Sequence, residues 1–200
     1  MVVAVPMPDE RDKQAWRAEI RGRRARLPEL VYAAEAAALA AAAADLGPAE
    51  WVCAYVPMRG EPGSVAIPET LRDSGSRVLL PVTGEPGPLS WGEFTGAGSL
   101  RPARYGLLEP AGPVLPPETV ARAEVLLIPA LAVDRRGVRL GQGAGYYDRT
   151  LGMADPAARR TVVVRDDELV ERLPEEPHDI RMTWVLTPGS GLRRLDADPR

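Results

Sequence analysis

The stretch VLLIPALAVDRRGVRLGQGAGYYDRTL, Val125 to Leu151, decides how the chain is read. It opens on Val125–Ile128, a short apolar run rich in β-formers and closed by Pro129, which predicts a buried strand. A loop follows, with a turn at Arg136-Gly137. Glycine then recurs at Gly141, Gly143 and Gly145. From about Ala144 the residues favour a helix through Tyr146, Tyr147, Asp148, Arg149 and Leu151, with Gly152 placed to end it. Such a glycine loop has two readings. Without Cβ atoms its backbone can approach a ligand closely, and its N–H groups, with a helix start behind them, can cradle phosphate oxygens. Asp148 would then hold a magnesium ion against those phosphates. Alternatively the glycines make a tight turn and Asp148 only complements the helix dipole. The spacing is neither the dinucleotide fingerprint nor a P-loop.

Upstream, Asp9–Arg26 predicts a first helix. Trp16, Ile20 and Leu27 form its apolar stripe, and Lys13, Arg17, Arg21 and Arg24 share another face. That basic face is either solvated or faces an anion. Glu29–Leu46 predicts an alanine-rich second helix, opened by Pro28 and closed by Gly47-Pro48. Trp51–Val56 reads as a central strand that delivers a loop through Met58 and Glu61. Loops after parallel strands are where open α/β sheets hold ligands. Met58 can equally be core filler, and Glu61 an ordinary loop carboxylate. A helix over Val65–Asp73 and strands over Arg77–Pro81 and Leu89–Phe94 follow. Gly96–Arg104 reads as a loop, Pro113–Pro117 as a linker and Glu118–Ala123 as a short helix. Strands over Arg160–Arg165 and Met182–Thr187 complete an alternating α/β pattern. Gly189–Arg200 reads as a loose tail.

The whole-chain figures exclude several classes. A 200-residue chain with 45% hydrophobic and 26% charged residues suits one globular domain. A net charge of −3 gives no basic field for nucleic acid. No apolar run reaches the length of a membrane helix, and Met1–Pro8 lacks the pattern of a secretion signal. Cys53 is the single cysteine, so no internal disulfide can form, and a reducing cytoplasm fits. His178 is the single histidine, which excludes a multi-histidine metal site.

Ile128–Asp134, then Gly137, then Arg139–Arg149 resembles the signature of the 5-formyltetrahydrofolate cyclo-ligase family, also called 5,10-methenyltetrahydrofolate synthetases. Further pieces fall in the family's order. They are Lys13 with Arg17, Tyr55–Met58 with Glu61, Tyr105–Pro110, and His178-Asp179 followed by Val185–Pro188. The resemblance implies a single Rossmann-like three-layer α/β/α domain with a mostly parallel sheet. Its expected span is residues 9–190, with residues 1–8 a flexible extension and 191–200 a tail. It implies an enzyme that converts 5-formyltetrahydrofolate and ATP, with Mg²⁺, to 5,10-methenyltetrahydrofolate, ADP and phosphate. Folate and ATP are then the partners of an expected monomer.

By the same resemblance, Lys13, Arg17, Arg139, Leu140, Gly141, Gln142, Gly143, Ala144, Gly145, Tyr146 and Tyr147 bind ATP. Val56, Met58, Glu61, Tyr105 and Tyr147 bind folate, Tyr147 being also the one candidate for a catalytic contact. Asp148 holds the metal. Tyr105 can instead pack under its Gly-Pro loop. The chain departs from the family pattern at Gln142 and Ala144, where many members carry a cation in the loop. It departs again at Thr183, aligned with an aspartate that is a second metal candidate. Ala144 and Thr183 motivate an alternative, a non-catalytic folate- or nucleotide-binding relative of the same fold, against which stands the retention of Lys13, Arg17, Glu61 and Asp148. A sugar-phosphate isomerase or CoA-transferase would rest on analogy of fold alone.

Overall fold

The computed structural model describes residues 12–196. The expected extension over residues 1–8 lies outside them. Helix α1 runs Lys13–Arg24, its first turn capped by the Asp12 carboxylate, which accepts the Ala15 N–H at 2.7 Å. Pro28 opens α2 (Glu29–Ala43), and a 3₁₀ turn over Ala44–Leu46 ends at Gly47, whose φ of 73° only glycine adopts without cost. Then come β1 (Trp51–Cys53), α3 (Ala66–Asp73), β2 (Arg77–Val82) and β3 (Ser90–Phe94). Residues 96–104, expected to be a loop, supply β4 (Leu100–Pro102), which pairs antiparallel with β5 (Leu108–Pro110). The expected linker supplies an edge strand, β6 (Val114–Leu115), and Pro117–Arg122 forms a 3₁₀ helix. The deciding stretch gives β7 (Val125–Pro129), the pair β8 (Ala132–Asp134) and β9 (Arg139–Leu140), and α4 (Tyr146–Leu151). Strands β10 (Arg159–Val163), β11 (Leu169–Val170), β12 (Trp184–Thr187) and β13 (Gly191–Arg194) complete the order. Strand β13 corrects the reading of a loose tail: it lies antiparallel on β12 as an edge strand.

The main sheet has the order β13-β12-β10-β7-β1-β2-β3-β6. Its middle, β12 through β2, is parallel, and both edges are antiparallel. Side chains alternate between its faces with the period of two that a strand imposes. Val52, Leu80, Leu127 and Leu186 meet Leu39 and Ala43 of α2 and Ile67 and Leu71 of α3. Cys53, Leu79, Leu126 and Val185 face the other way, toward Leu151 of α4 and Val120. This is the expected three-layer α/β/α arrangement. Cys53 is buried, and burial pushes its thiol pKa up, as suits a small core hydrophobe.

Helix α1 stands apart from these layers. Its buried Trp16 and Ile20 pack on Leu131, Ala132, Val138 and Leu140, residues of the small β11-β8-β9 sheet and its connections. Fully buried Asp134 holds the turn of that sheet by accepting the N–H groups of Arg136, Val138 and Leu173. Within the turn, Gly137 has a φ of 89°, and its carbonyl accepts the Met182 N–H at 2.8 Å. A Cβ at Gly137 would collide with the Met182 carbonyl. Gly137→Ala should therefore destabilise the fold by roughly 2 kcal/mol or more, combining positive-φ strain with a displaced backbone contact. Urea unfolding of the two proteins measures it, and a loss below about 0.5 kcal/mol would show that the turn relaxes freely.

Candidate active site

The C-terminal ends of the parallel strands open on a cleft of about 590 Å³, a size that suits a drug-sized ligand. Tyr55 and Met58 come from beyond β1, Pro81 and Thr83 from the end of β2, and Pro129 from the end of β7. Leu107 and Leu108 close one side, and the glycine loop, Gly141 to Gly145, closes another. This placement follows from topology, since every parallel strand ends at the same side of a sheet.

The loop takes its shape from two glycines in the left-handed region, Gly143 at φ 107° and Gly145 at φ 72°. Helix α4 is only six residues long, so its dipole contributes little to anion binding. Charge comes from side chains instead. The Arg17 Nε donates to the Gly141 carbonyl at 3.0 Å. Arg149 reaches the Ala144 carbonyl, and Arg21 grips Gln142. Arg139 is buried and joins the Asp148 carboxylate, with its guanidinium carbon 5.7 Å from the Tyr147 ring centre. A Cβ at Gly141 would press on that guanidinium at 2.7 Å, so a larger residue there would have to shift the end of the Arg139 side chain. A loop with no cation of its own is thus ringed by four arginines.

Asp148 lines the cleft and meets Arg139 through Oδ1, leaving Oδ2 directed to no protein donor among the described residues. A single carboxylate of this kind fits a Mg²⁺ ion that keeps its waters and takes phosphate oxygens for its remaining ligands. Glu61 is 9% exposed and sits at the back of the cleft. Its Oε2 accepts the Met58 N–H at 3.0 Å. Burial, and then the Glu61 charge, push the Tyr147 hydroxyl pKa up, so it stays a neutral donor at physiological pH.

Met58, Glu61, Arg139, Gly141, Gln142, Gly143, Ala144, Gly145, Tyr146, Tyr147 and Asp148 therefore meet around one cleft. Leu140 belongs to β9 and is buried beneath the loop. Val56 packs against the core on the α2 side and does not line the cleft. The backbone of Tyr105 forms a 3₁₀ turn, and its side chain lies outside the described residues.

Lys13 lies one turn from Arg17, and its ammonium binds Glu176 at 2.6 Å and Asp179 at 2.8 Å. Partial burial works against the charge, but these two carboxylates outweigh it and hold the Lys13 pKa above its ordinary value. No local pattern in the sequence signals this pairing. Thr183, aligned with an aspartate in the family pattern, does not reach the cleft. It stands at the start of β12, and its hydroxyl bonds the backbone of Arg160 at the other end of the strands from the cleft. An aspartate at position 183 would not face Asp148.

The chain is similar to proteins of one family. The model of the 5-formyltetrahydrofolate cyclo-ligase family matches residues 9–188. A 5-formyltetrahydrofolate cyclo-ligase of Mycolicibacterium smegmatis is 50% identical over 191 residues, covering 92% of this chain and 98% of the relative. The enzyme of the same name from Escherichia coli K12 is 34% identical over 143 residues, covering 70% of this chain and 79% of the relative. The solution structure of Aquifex aeolicus 5,10-methenyltetrahydrofolate synthetase superimposes with a TM-score of 0.72 at 26% identity, over 94% of each chain. A Mycoplasma pneumoniae 5,10-methenyltetrahydrofolate synthetase shares the fold, with a TM-score of 0.69 at 19% identity, over 88% of this chain and 98% of its own. By a family match over residues 9–188 and a relative half identical across nearly the whole of both chains, this chain belongs to the 5-formyltetrahydrofolate cyclo-ligase family of enzymes.

Proposed function

We propose that the protein uses ATP and Mg²⁺ to close 5-formyltetrahydrofolate into 5,10-methenyltetrahydrofolate, releasing ADP and phosphate. The observation that carries this reading is that the arginine-ringed glycine loop and the Glu61 carboxylate line one cleft. A phosphoryl group on the loop and a folate on Glu61 would then face each other. The names of the relatives state the substrate and the product of that same reaction.

The chemistry required is modest in side-chain terms. The formyl oxygen, a poor leaving group, attacks the γ-phosphorus, ADP departs, and N5 carries the positive charge of an iminium phosphate. N10 attacks the activated carbon and loses its proton, and expulsion of phosphate leaves the methenyl bridge. Such phosphoryl transfer depends on alignment and charge neutralisation more than on a protein nucleophile. Mg²⁺ at Asp148 would neutralise and orient the phosphates. Arg17 supplies positive charge, the 141–145 backbone supplies N–H donors, and Lys13 would reach a phosphate only by leaving Glu176 and Asp179. Glu61 accepts from the N–H groups of the reduced pterin. Tyr147, kept protonated by burial, donates to the substrate or to the transferred phosphate.

Mixing the purified protein with 5-formyltetrahydrofolate and Mg-ATP should produce the absorbance of the methenyl product, with ADP released in equal amount. No absorbance growth with intact folate binding would favour the non-catalytic relative and overturn this reading.

A further inference from the structure

Arg21 lies one turn beyond Arg17 on α1, and its guanidinium is devoted to one residue. Its Nε and Nη2 donate to the Gln142 side-chain oxygen at 3.2 and 3.0 Å, and Nη2 also reaches the Gln142 carbonyl at 3.0 Å. A carboxamide whose oxygen is captured by a cation has only its NH₂ to offer elsewhere. That NH₂ faces the Glu61 Oε1 at 3.4 Å. The other Glu61 oxygen is tied to the Met58 backbone, and the Gly60 carbonyl beside it is held by Arg165 at 3.2 Å. Oε1 is therefore the oxygen whose environment Gln142 sets. Arg21 lines a separate cleft of about 580 Å³, which shares Arg59, Glu61 and Gln142 with the main cleft as a common wall.

We infer that Arg21 and Gln142 are positioning residues that fix the Glu61 carboxylate for folate and join it to the phosphate loop. The inference rests on the proposed function. Arg21 lies outside the folate cleft, so its contact with the folate side runs through Gln142, chiefly through the amide that faces Glu61. That path has a kinetic signature which simple phosphate binding by Arg21 lacks.

The test compares the parent with Arg21→Met, Gln142→Leu and the double variant, measuring kcat and both KM values. Arg21→Met should raise KM for 5-formyltetrahydrofolate about five-fold, the worth of one lost hydrogen bond, and move KM for ATP less than about two-fold. Arg21→Lys, which still donates to the amide oxygen, should recover most of the loss. In the Gln142→Leu background, Arg21→Met should lose most of its effect on KM for folate, because residues acting in series are not additive and only the bond to the backbone carbonyl remains. Additive effects, or a rise confined to KM for ATP, would overturn the inference. Calorimetric folate affinities of the same proteins make the comparison independent of turnover. A parent that binds folate without turnover would sink the proposed function alone, and one that binds no folate would sink both.

Discussion

Asp148→Asn should lower kcat/KM for ring closure by roughly 10²- to 10³-fold, the scale expected when one preorganised charge is removed from a phosphoryl-transfer site. Asparagine keeps the shape and loses the charge. On the proposed mechanism the Mg²⁺ would lose its carboxylate ligand, and buried Arg139 loses its counter-charge. Arg139 is free to bind those oxygens itself, so ATP affinity should fall less than kcat does. The methenyl absorbance assay at several Mg²⁺ concentrations reads both effects. Excess Mg²⁺ should recover part of the loss. An Asp148→Asn enzyme within ten-fold of the parent at every Mg²⁺ concentration would remove Asp148 from the metal site.

Glu168→Ala should be the most damaging substitution away from the cleft, destabilising the fold by about 3–5 kcal/mol. Glu168 is 2% exposed. It accepts two bonds from Arg24, both at 2.7 Å, and the Arg165 N–H at 2.9 Å. The Arg165 guanidinium is 3.7 Å away and also bonds Glu35. Deleting the carboxylate leaves the Arg24 charge in the interior without its partner, which costs far more than the pair contributes when intact. The damage should extend to the cleft, because Arg24 also holds the Ala130 carbonyl after β7 and Arg165 holds the Gly60 carbonyl beside Glu61. Urea unfolding should show the loss, and Glu168→Gln, which keeps an acceptor, should lose about half as much. A loss below about 1 kcal/mol for Glu168→Ala would mean that water reaches both guanidiniums.

The parts legible in the sequence are those with a long period or a strong punctuation. Val125–Ile128, the glycine loop and the alanine-rich helix each carry their own signal, and each forms close to where it was expected. The two-residue strands carry none. Val114–Leu115, Arg139–Leu140 and Leu169–Val170 are strands only because a neighbour offers a ladder, which no local pattern reveals. The basic face of α1 was readable as a face, but not its assignments. Arg17 and Arg21 go to the glycine loop, while Lys13 and Arg24 go to carboxylates on other segments. Thr183 shows the same limit: aligned spacing fixed its position along the chain but not which end of the strand it occupies.

The reach of α1 has a consequence for how the protein comes into being. Lys13 finds Asp179 at a separation of 166 positions along the chain, Arg24 finds Glu168 at 144, and Arg17 finds Gly141 at 124. Ribosomes add roughly 5–20 residues per second, so the first helix emerges on the order of ten seconds before its partners exist. During that interval α2, β1, α3 and β2 can already assemble around Leu39, Ile67 and Leu80. The basic helix must wait unpaired, its Trp16 and Ile20 exposed to whatever else is near the tunnel exit. Catalytic competence is therefore the last thing the nascent chain acquires, and a chain interrupted before Asp179 would carry much of its core without a finished active site.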